Sequence, residues 1–487
     1  MRLMFRIFIC LSTSILISCN ISLPPQAQLR NLLATPNMDR AVTRLLAETN
    51  TFSQGNWPDK RWWLIFNSPE LNQLIEEALV NNPSLLEIRS RITAAKEEAI
   101  VTRSLLFPLV FFDASMTRQY LSKNGLYRAF NPKIHRNATL IDLTLSFTYE
   151  FDFWHKNHNL FCAAIGEALA TQAEAAQVAL ITTTSMAQAY IAYRTNLLRK
   201  QLYQQLFTVR QRLLQLQNLV FSKGLTSDLP SFSAEENFFE ARQFLSSIDT
   251  ELIVTKHLIN TLAGRNPDTP LQLDCSLPAL PRALIIPKTL SVDLIARRPD
   301  LMAQIWRAKA LAYETGAAMA EFYPDVNITG FIGLESTRWT KLLYSSSGKT
   351  GIKPAIHLPI FTAGAIAANV NVIKAKFDAA IFAYNNLLLH STQEVLDVLA
   401  FAQDVYQQKK QQTEIVNYAE RRYNLTKLRQ QKGLDSDFDM YYYQEAVIET
   451  KLANVSLLYN QYLASIKLIK ALGGGYCQTE VPLVKKL

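Results

Sequence analysis

Two hydrophobic periodicities alternate along the chain, and each occurs twice. Leu143, Leu145, Phe147, Tyr149 and Phe151 alternate with Thr144, Ser146, Thr148, Glu150 and Asp152, the period of two of a strand with one apolar and one polar face. Val110, Phe112, Ala114 and Met116 alternate likewise ahead of a polar loop. Val326, Ile328, Gly330, Ile332 and Leu334, then Ile352, Pro354, Ile356 and Leu358, repeat the theme. These runs predict one β-hairpin in each half, at about residues 108–154 and 324–361. After each hairpin the period lengthens to three or four, as at Leu213, Leu216 and Val220. His155 to Ser222 contains no proline and a single glycine, and Ala365 to Lys432 contains neither. At about 1.5 Å per residue these stretches predict helices of roughly 100 Å, which must lie against neighbours along their length. Helical runs return from Phe232 to Leu262 and from Asp437 to Leu472, so Gly224 and Gly433 mark the tips of two helix hairpins.

The halves are copies of one unit. Asn82-Pro83 precedes Phe107-Pro108 by 25 residues (108 − 83), and Arg298-Pro299 precedes Tyr323-Pro324 by the same interval (324 − 299). Such a duplication predicts one repeat pair rather than independent domains, with a first repeat at 61–270, a second at 288–476 and the proline-containing segment Asn266 to Pro287 between them. Strands of about ten residues with an apolar face suit a tilted crossing of an outer membrane, and by periodicity alone they suit a soluble sandwich equally well.

The N-terminus bears on that choice. Arg2 and Arg6 precede an apolar run from Ile7 to Ile17, too short to span a bilayer and suited to a secretory signal over residues 1–18. Leu16-Ile17-Ser18-Cys19 resembles the lipobox of bacterial lipoproteins, which implies acylation of Cys19 and, with Asn20 following, passage to the outer membrane. An ordinary signal with an incidental cysteine is the alternative. Residues 19–60 then form an N-terminal anchor segment. No run of 18 apolar residues argues for a polytopic helical membrane protein. The net charge of +9 is spread along the chain, which favours no nucleic-acid partner. Cys162, Cys275 and Cys477, an odd and scattered set, do not make a disulfide framework, and their role is open.

Trp62-Trp63 to Phe66, Leu71-Asn72-Gln73-Leu74, Asn82-Pro83, Tyr149 to Trp154, Arg297-Arg298-Pro299-Asp300-Leu301, Phe322-Tyr323-Pro324, Leu358-Pro359-Ile360-Phe361, Gly433-Leu434-Asp435-Ser436 and Ala471 to Tyr476 follow one another in order on both halves. In these landmarks the chain resembles the TolC-like outer-membrane efflux family, in its lipoprotein branch related to OprM and NodT. The resemblance implies a mainly α fold with membrane β-structure: a homotrimer whose twelve strands, four per chain, close an outer-membrane barrel continued by a long periplasmic α-helical barrel. The strand count asks for the same, since four strands leave open edges that three chains would close. The implied function is a passive duct, not an enzyme and without cofactor, in the outer membrane of a Gram-negative bacterium. Its implied partners are outer-membrane lipid, a periplasmic adaptor (membrane fusion) protein and an inner-membrane RND-type pump. The duct of a type I protein-secretion system is the alternative, and a lipid-anchored scaffold of long helices without a pore is a different class that bilayer conductance would separate. Substrate is set by the pump and is not legible here.

The family places its gate at the inward hairpin tips. Asp435, Asp437 and Asp439 surround the second tip, and Asp435 and Asp439 match family acidic positions. Threefold symmetry would make rings of carboxylates that attract cations; solvated acids favoured at a helix N-terminus are the alternative. Gln430 stands where relatives carry a latch tyrosine, and Tyr442 where a second acid is common. Pro230 occupies the place of Asp439 in the first copy, so the first tip reads as packing and the second as gate. Glu150 and Asp152 read as lumen-facing strand residues rather than a general acid and base, because no nucleophile converges on them. His155 and His158 lack a third ligand, so no metal is expected. Trp57, Trp62 and Trp63 read as packing residues, and Trp339 as an interfacial or outer-surface residue.

Overall fold

The computed structural model describes residues 32–34, 36, 38–48, 51–271, 273, 276–281, 283–288 and 290–477. Helix α1 (Asp39–Glu48) leads to strand β1 (Phe52–Gly55), a 3-10 turn at Trp62–Phe66, and helices α2 (Pro69–Asn81) and α3 (Pro83–Ser104). A hairpin of β2 (Leu109–Tyr120) and β3 (Asn137–Phe151) encloses the one-turn helix α4 (Leu126–Phe130), and α5 (Lys156–Ser222) and α6 (Leu229–Leu262) follow. Strand β4 (Leu284–Pro287) and helix α7 (Leu290–Arg297) join the halves. The second half runs through α8 (Pro299–Ala320), β5 (Asp325–Ser336), β6 (Gly348–His357), α9 (Ala365–Gln431) and α10 (Asp437–Ala471).

Both long helices have 67 residues, close to 100 Å at about 1.5 Å per residue. Helices α3 and α8 have 22 residues each, so they flank α5 and α9 only near the sheet, while α6 and α10, of 34 and 35 residues, accompany them further away. Packing follows the order α3–α5–α8–α9 in the part near the sheet and α6–α5–α10–α9 further away, a single layer. Small residues make the close contacts, as where Ala173 on α5 meets Met302 and Ala303 on α8. Among the described residues no helix is long and apolar enough to cross a membrane.

The four long strands form one antiparallel sheet in the order β2–β3–β5–β6. Its register puts the alternating residues on common faces. Phe112, Leu145 and Ile332 stand opposite one another, as do Val110, Phe147, Gly330 and Ile352, and so do Tyr149, Ile328 and Pro354. The other face carries Asp113, Thr144 and Lys349 in one row and Thr148, Thr329 and Lys353 in another. Trp154 closes the junction of sheet and helices: its Nε1 donates to the Pro324 carbonyl at 2.8 Å and its ring stacks on Tyr323.

A collar of core packs against the middle of the helical layer. Trp62, Trp63, Phe66, Leu71 and Ile75 bury against Met186, Tyr190, Ile259, Tyr462 and Ile466. The segment between the repeats belongs to this collar and is not a free linker. Leu271, Leu273, Leu277 and Leu280 pack on the same cluster, the Ala279 amide donates to the Phe66 carbonyl, and β4 pairs in parallel with β1.

Candidate functional site

The chemistry the sequence singled out lies at the two ends of the helical layer. At the far end α9 stops at Gly433, whose φ of +73° no side chain adopts cheaply, and the chain turns back through Asp435 and Ser436 into α10. The Gly433 amide donates to the Gln430 carbonyl and the Leu434 amide to that of Arg429. This turn brings Gln430, Asp435, Asp437 and Asp439 together. Arg429 forks onto Asp435, Nε to Oδ2 at 2.8 Å and Nη2 to Oδ1 at 2.9 Å. Gln430 Nε2 donates to Asp437 Oδ1 at 2.7 Å.

Asp439 does different work. Its Oδ2 accepts from the Ser436 amide at 3.0 Å while its own amide donates to Ser436 Oγ at 3.1 Å, a complete capping box at the start of α10. The Ser436 hydroxyl and amide hold its carboxyl below the usual range. The acids therefore differ: one is neutralised by a guanidinium, one is bonded to an amide, and one closes a helix end.

The first tip shares the backbone and not the chemistry. Gly224 has φ +70°, its amide donates to the Phe221 carbonyl, and the Leu225 amide donates to that of Val220. Pro230 lies in the first turn of α6, and Asp228 at the cap position makes no capping bond. Leu225, Leu229 and Phe232 are exposed there.

At the sheet end, Glu150 lies within β3 and pairs with Lys156 at 2.5 Å; Lys156 also reaches Asp325 at 3.2 Å. Asp152 is not a strand residue. Strand β3 ends at Phe151, and the Asp152 carboxylate accepts from the Asn157 amide at 3.0 Å and the His158 amide at 2.8 Å. The period of two ran one residue too far, because an acid next to a helix start satisfies the orphan amides of the first turn. His158 Nε2 lies 3.5 Å from Cys162 Sγ, and among the described residues no three metal-ligating side chains converge. Trp339 is exposed in the loop between β5 and β6. Cys19, with the signal segment before it, and Cys275 lie outside the described residues.

Two buried arginines escaped the sequence reading. On α5, Arg210 reaches Glu445 on α10 at 2.7 Å and Glu240 on α6 at 2.6 Å, with Glu449 at 3.6 Å. Burial works against its charge, and its hydrogen bonds to the Glu445 and Glu240 carboxylates more than restore it. Arg194 pairs with Glu70, which also accepts from the Tyr190 hydroxyl at 3.2 Å, while that hydroxyl contacts Ser68 at 2.8 Å. Burial pushes Tyr190 up to about 12. In sequence each arginine is one cation among many on a long helix, and only the tertiary packing identifies it: helices α6 and α10 around Arg210, and α2 with the Ser276 carbonyl around Arg194.

Nearer the sheet, a cavity of about 780 Å³ is lined by α3, α5, α8 and the start of α9, with Glu98, Glu167, Glu314, Glu321 and Lys156 among its lining residues. Burial raises the Glu314 carboxyl above its usual range.

The sequence model of outer membrane efflux proteins matches residues 74–265 and 290–474, once on each half. The multidrug resistance outer membrane protein MdtQ of Escherichia coli O6:H1 is 28% identical over 439 residues, 88% of this chain and 90% of the relative. The crystal structure of the outer membrane protein VceC of Vibrio cholerae matches with a TM-score of 0.75 at 28% identity, over 86% of this chain and 100% of that one. The CmeC outer membrane channel of Campylobacter jejuni shares the fold, with a TM-score of 0.83 at 20% identity over 96% of this chain and 97% of that one. The chain belongs to the outer membrane efflux protein family.

Proposed function

We propose that three copies of the chain close into one duct, with the twelve strands of three sheets forming a barrel in the outer membrane and the helical layers forming a tube below it. One observation carries this reading. The four-stranded sheet is open, with β2 and β6 at its edges, and each edge presents a row of backbone donors and acceptors that lipid cannot satisfy. Side-by-side assembly pairs β6 of one protomer with β2 of the next and removes every edge. The apolar face, including Val110, Phe112, Ile332 and Ile352, then meets lipid, and the polar face lines the lumen. Native mass measurement of the detergent-extracted protein is expected to give three chains. A stable monomer contradicts the assembly.

The duct conducts passively, performs no covalent chemistry, and receives substrate from a periplasmic adaptor and an inner-membrane RND-type pump. Efflux rather than polypeptide export is supported by the multidrug resistance relatives. The second tip is the gate: Gln430 bonded to Asp437, and Asp435 bonded to Arg429, brace the turn from which a ring of acids narrows the tube, while Asp439 serves the helix cap. Cys19 is the acylated first residue of the mature chain, so C19S is expected to abolish acyl labelling. Labelling that survives C19S contradicts acylation at Cys19 and leaves the duct standing.

A further inference from the structure

Three arginines of α5 reach across to neighbouring helices, and one of them meets no acid. Arg194 pairs with Glu70, and Arg210 pairs with Glu240 and Glu445. Arg199, between them, is partly buried and makes no ion pair among the described residues. Its Nη2 donates to Ser456 Oγ on α10 at 3.1 Å, and its Nε is shut off from solvent with no acceptor. A guanidinium carries five N–H donors, so most of this one's capacity is unspent.

Arg199 borders a cavity of about 500 Å³ that lies over α5 between α6 and α10. Other groups on its wall suit an oxyanion. Asn196, 7% exposed, and Asn460 border it, and neither side-chain amide has a hydrogen bond among the described residues. Tyr459 borders it too, and burial raises its hydroxyl above the usual range, so it stays a donor. Val254 adds an apolar side. The acid of the lining, Glu251, is exposed on α6 and does not pair with Arg199. The cavity faces away from the collar. Arg199 lies nine residues beyond the collar residue Tyr190 (199 − 190), two and a half turns and so on the opposite side of α5. By the same count Val254 is turned about 140° from Ile259 on α6, and Asn460 about 160° from Tyr462 on α10. Four helices from each of three chains, at about 10 Å spacing, make a ring about 38 Å across between axes and about 28 Å clear. Three collars, each at least one helix of about 10 Å thick, would block that space, so they stand outside and the cavity opens inward.

We propose that this cavity is a subsite for the carboxylate of an organic anion in transit, with Arg199 as its cation, the amides of Asn196 and Asn460 as further donors and Val254 beside its apolar part. The proposal rests on the closure of three chains into a duct. Three protomers would carry three such subsites, each complete within one chain. One partly solvated guanidinium binds a carboxylate weakly, as a passage requires, because a solute that is held must also leave.

Single-channel recording of the full-length protein in planar bilayers tests it with hexanoate and hexanamide, which share a chain and differ in charge, applied from the extracellular side, away from the acidic tip. Hexanoate is expected to dwell about fivefold longer, read from excess current noise. R199Q should bring hexanoate down to the hexanamide value. R199K, which keeps the charge and loses the planar fork, should fall between, and N196A should shorten the hexanoate dwell as well. Equal dwell times in the parent channel, a hexanoate preference that survives R199Q, or one kept in full by R199K, as a bare wall charge would give, overturns the subsite while the duct stands. A protein that forms no conducting pore overturns the duct and the subsite with it.

Discussion

The guanidinium of Arg298 donates to the main-chain carbonyl of Ala471 at 3.1 Å across 173 residues of chain. Asn82 makes the matching contact in the first half, its Nδ2 donating to the Leu262 carbonyl at 2.9 Å. Each donor stands before a proline that opens a helix, Pro83 for α3 and Pro299 for α8, and each acceptor is the last residue of a returning helix, where carbonyls lack helical partners. The duplicated X-Pro pair thus buckles the start of each repeat to its end. Arg298 also binds Asp300 at 2.7 Å and Glu394 at 2.8 Å while almost fully buried. R298A should therefore cost about 3 kcal/mol in thermal unfolding, because two carboxylates lose their buried cation. R298K keeps the charge without the fork and should fall between.

Arg210 is expected to behave as a clasp between the two hairpins. R210A should also lower stability by about 3 kcal/mol, since the nearly buried Glu445 is left uncompensated. The roughly half-exposed Glu449 lies further off, at 3.6 Å, so E449Q should change little. Equal effects of R210A and E449Q in thermal unfolding would show that the clasp is only a surface pair.

Much of this architecture is legible in the sequence, for physical reasons. A face buried in lipid forces strict alternation, which is why Leu143, Leu145 and Phe147 gave β3, and the absence of proline let two 67-residue helices be read directly. The pairing of β1 with β4 was not legible, because four-residue strands some 230 positions apart leave no periodic trace. The acids at the second tip were visible in the sequence, and the difference between them was not. Carboxylates look alike in sequence, and only the partners Arg429, Gln430 and Ser436 distinguish the three. Asp152 failed for a related reason, since a helix-capping acid happened to continue the alternation of a strand.

At the second tip, D435N should release Arg429 and make the entrance less cation-selective in reversal-potential measurements. Q430Y, which replaces the donor to Asp437 with the bulkier latch residue of relatives, should lower basal conductance. If neither variant alters conductance or selectivity, the constriction lies elsewhere along the tube.

The cap itself should titrate. The Asp439 carboxyl is held below its ordinary value of 3.8, so its contribution to tip order is fully present above that value and is lost as the pH falls through its own lower one. Hydrogen-exchange protection at the start of α10 should hold above pH 3.8 and drop as the pH is lowered below it in the parent protein. In D439A it should already be low at pH 5 and no longer depend on pH over this range.

The central claim is that these chains close around a lumen. Purified full-length protein inserted into planar bilayers should give discrete, uniform conductance steps from one pore per trimer, with cations preferred over anions and the preference reduced by D435N. A correctly folded protein that inserts and yet passes no current would contradict the duct and would leave the long helices as a scaffold.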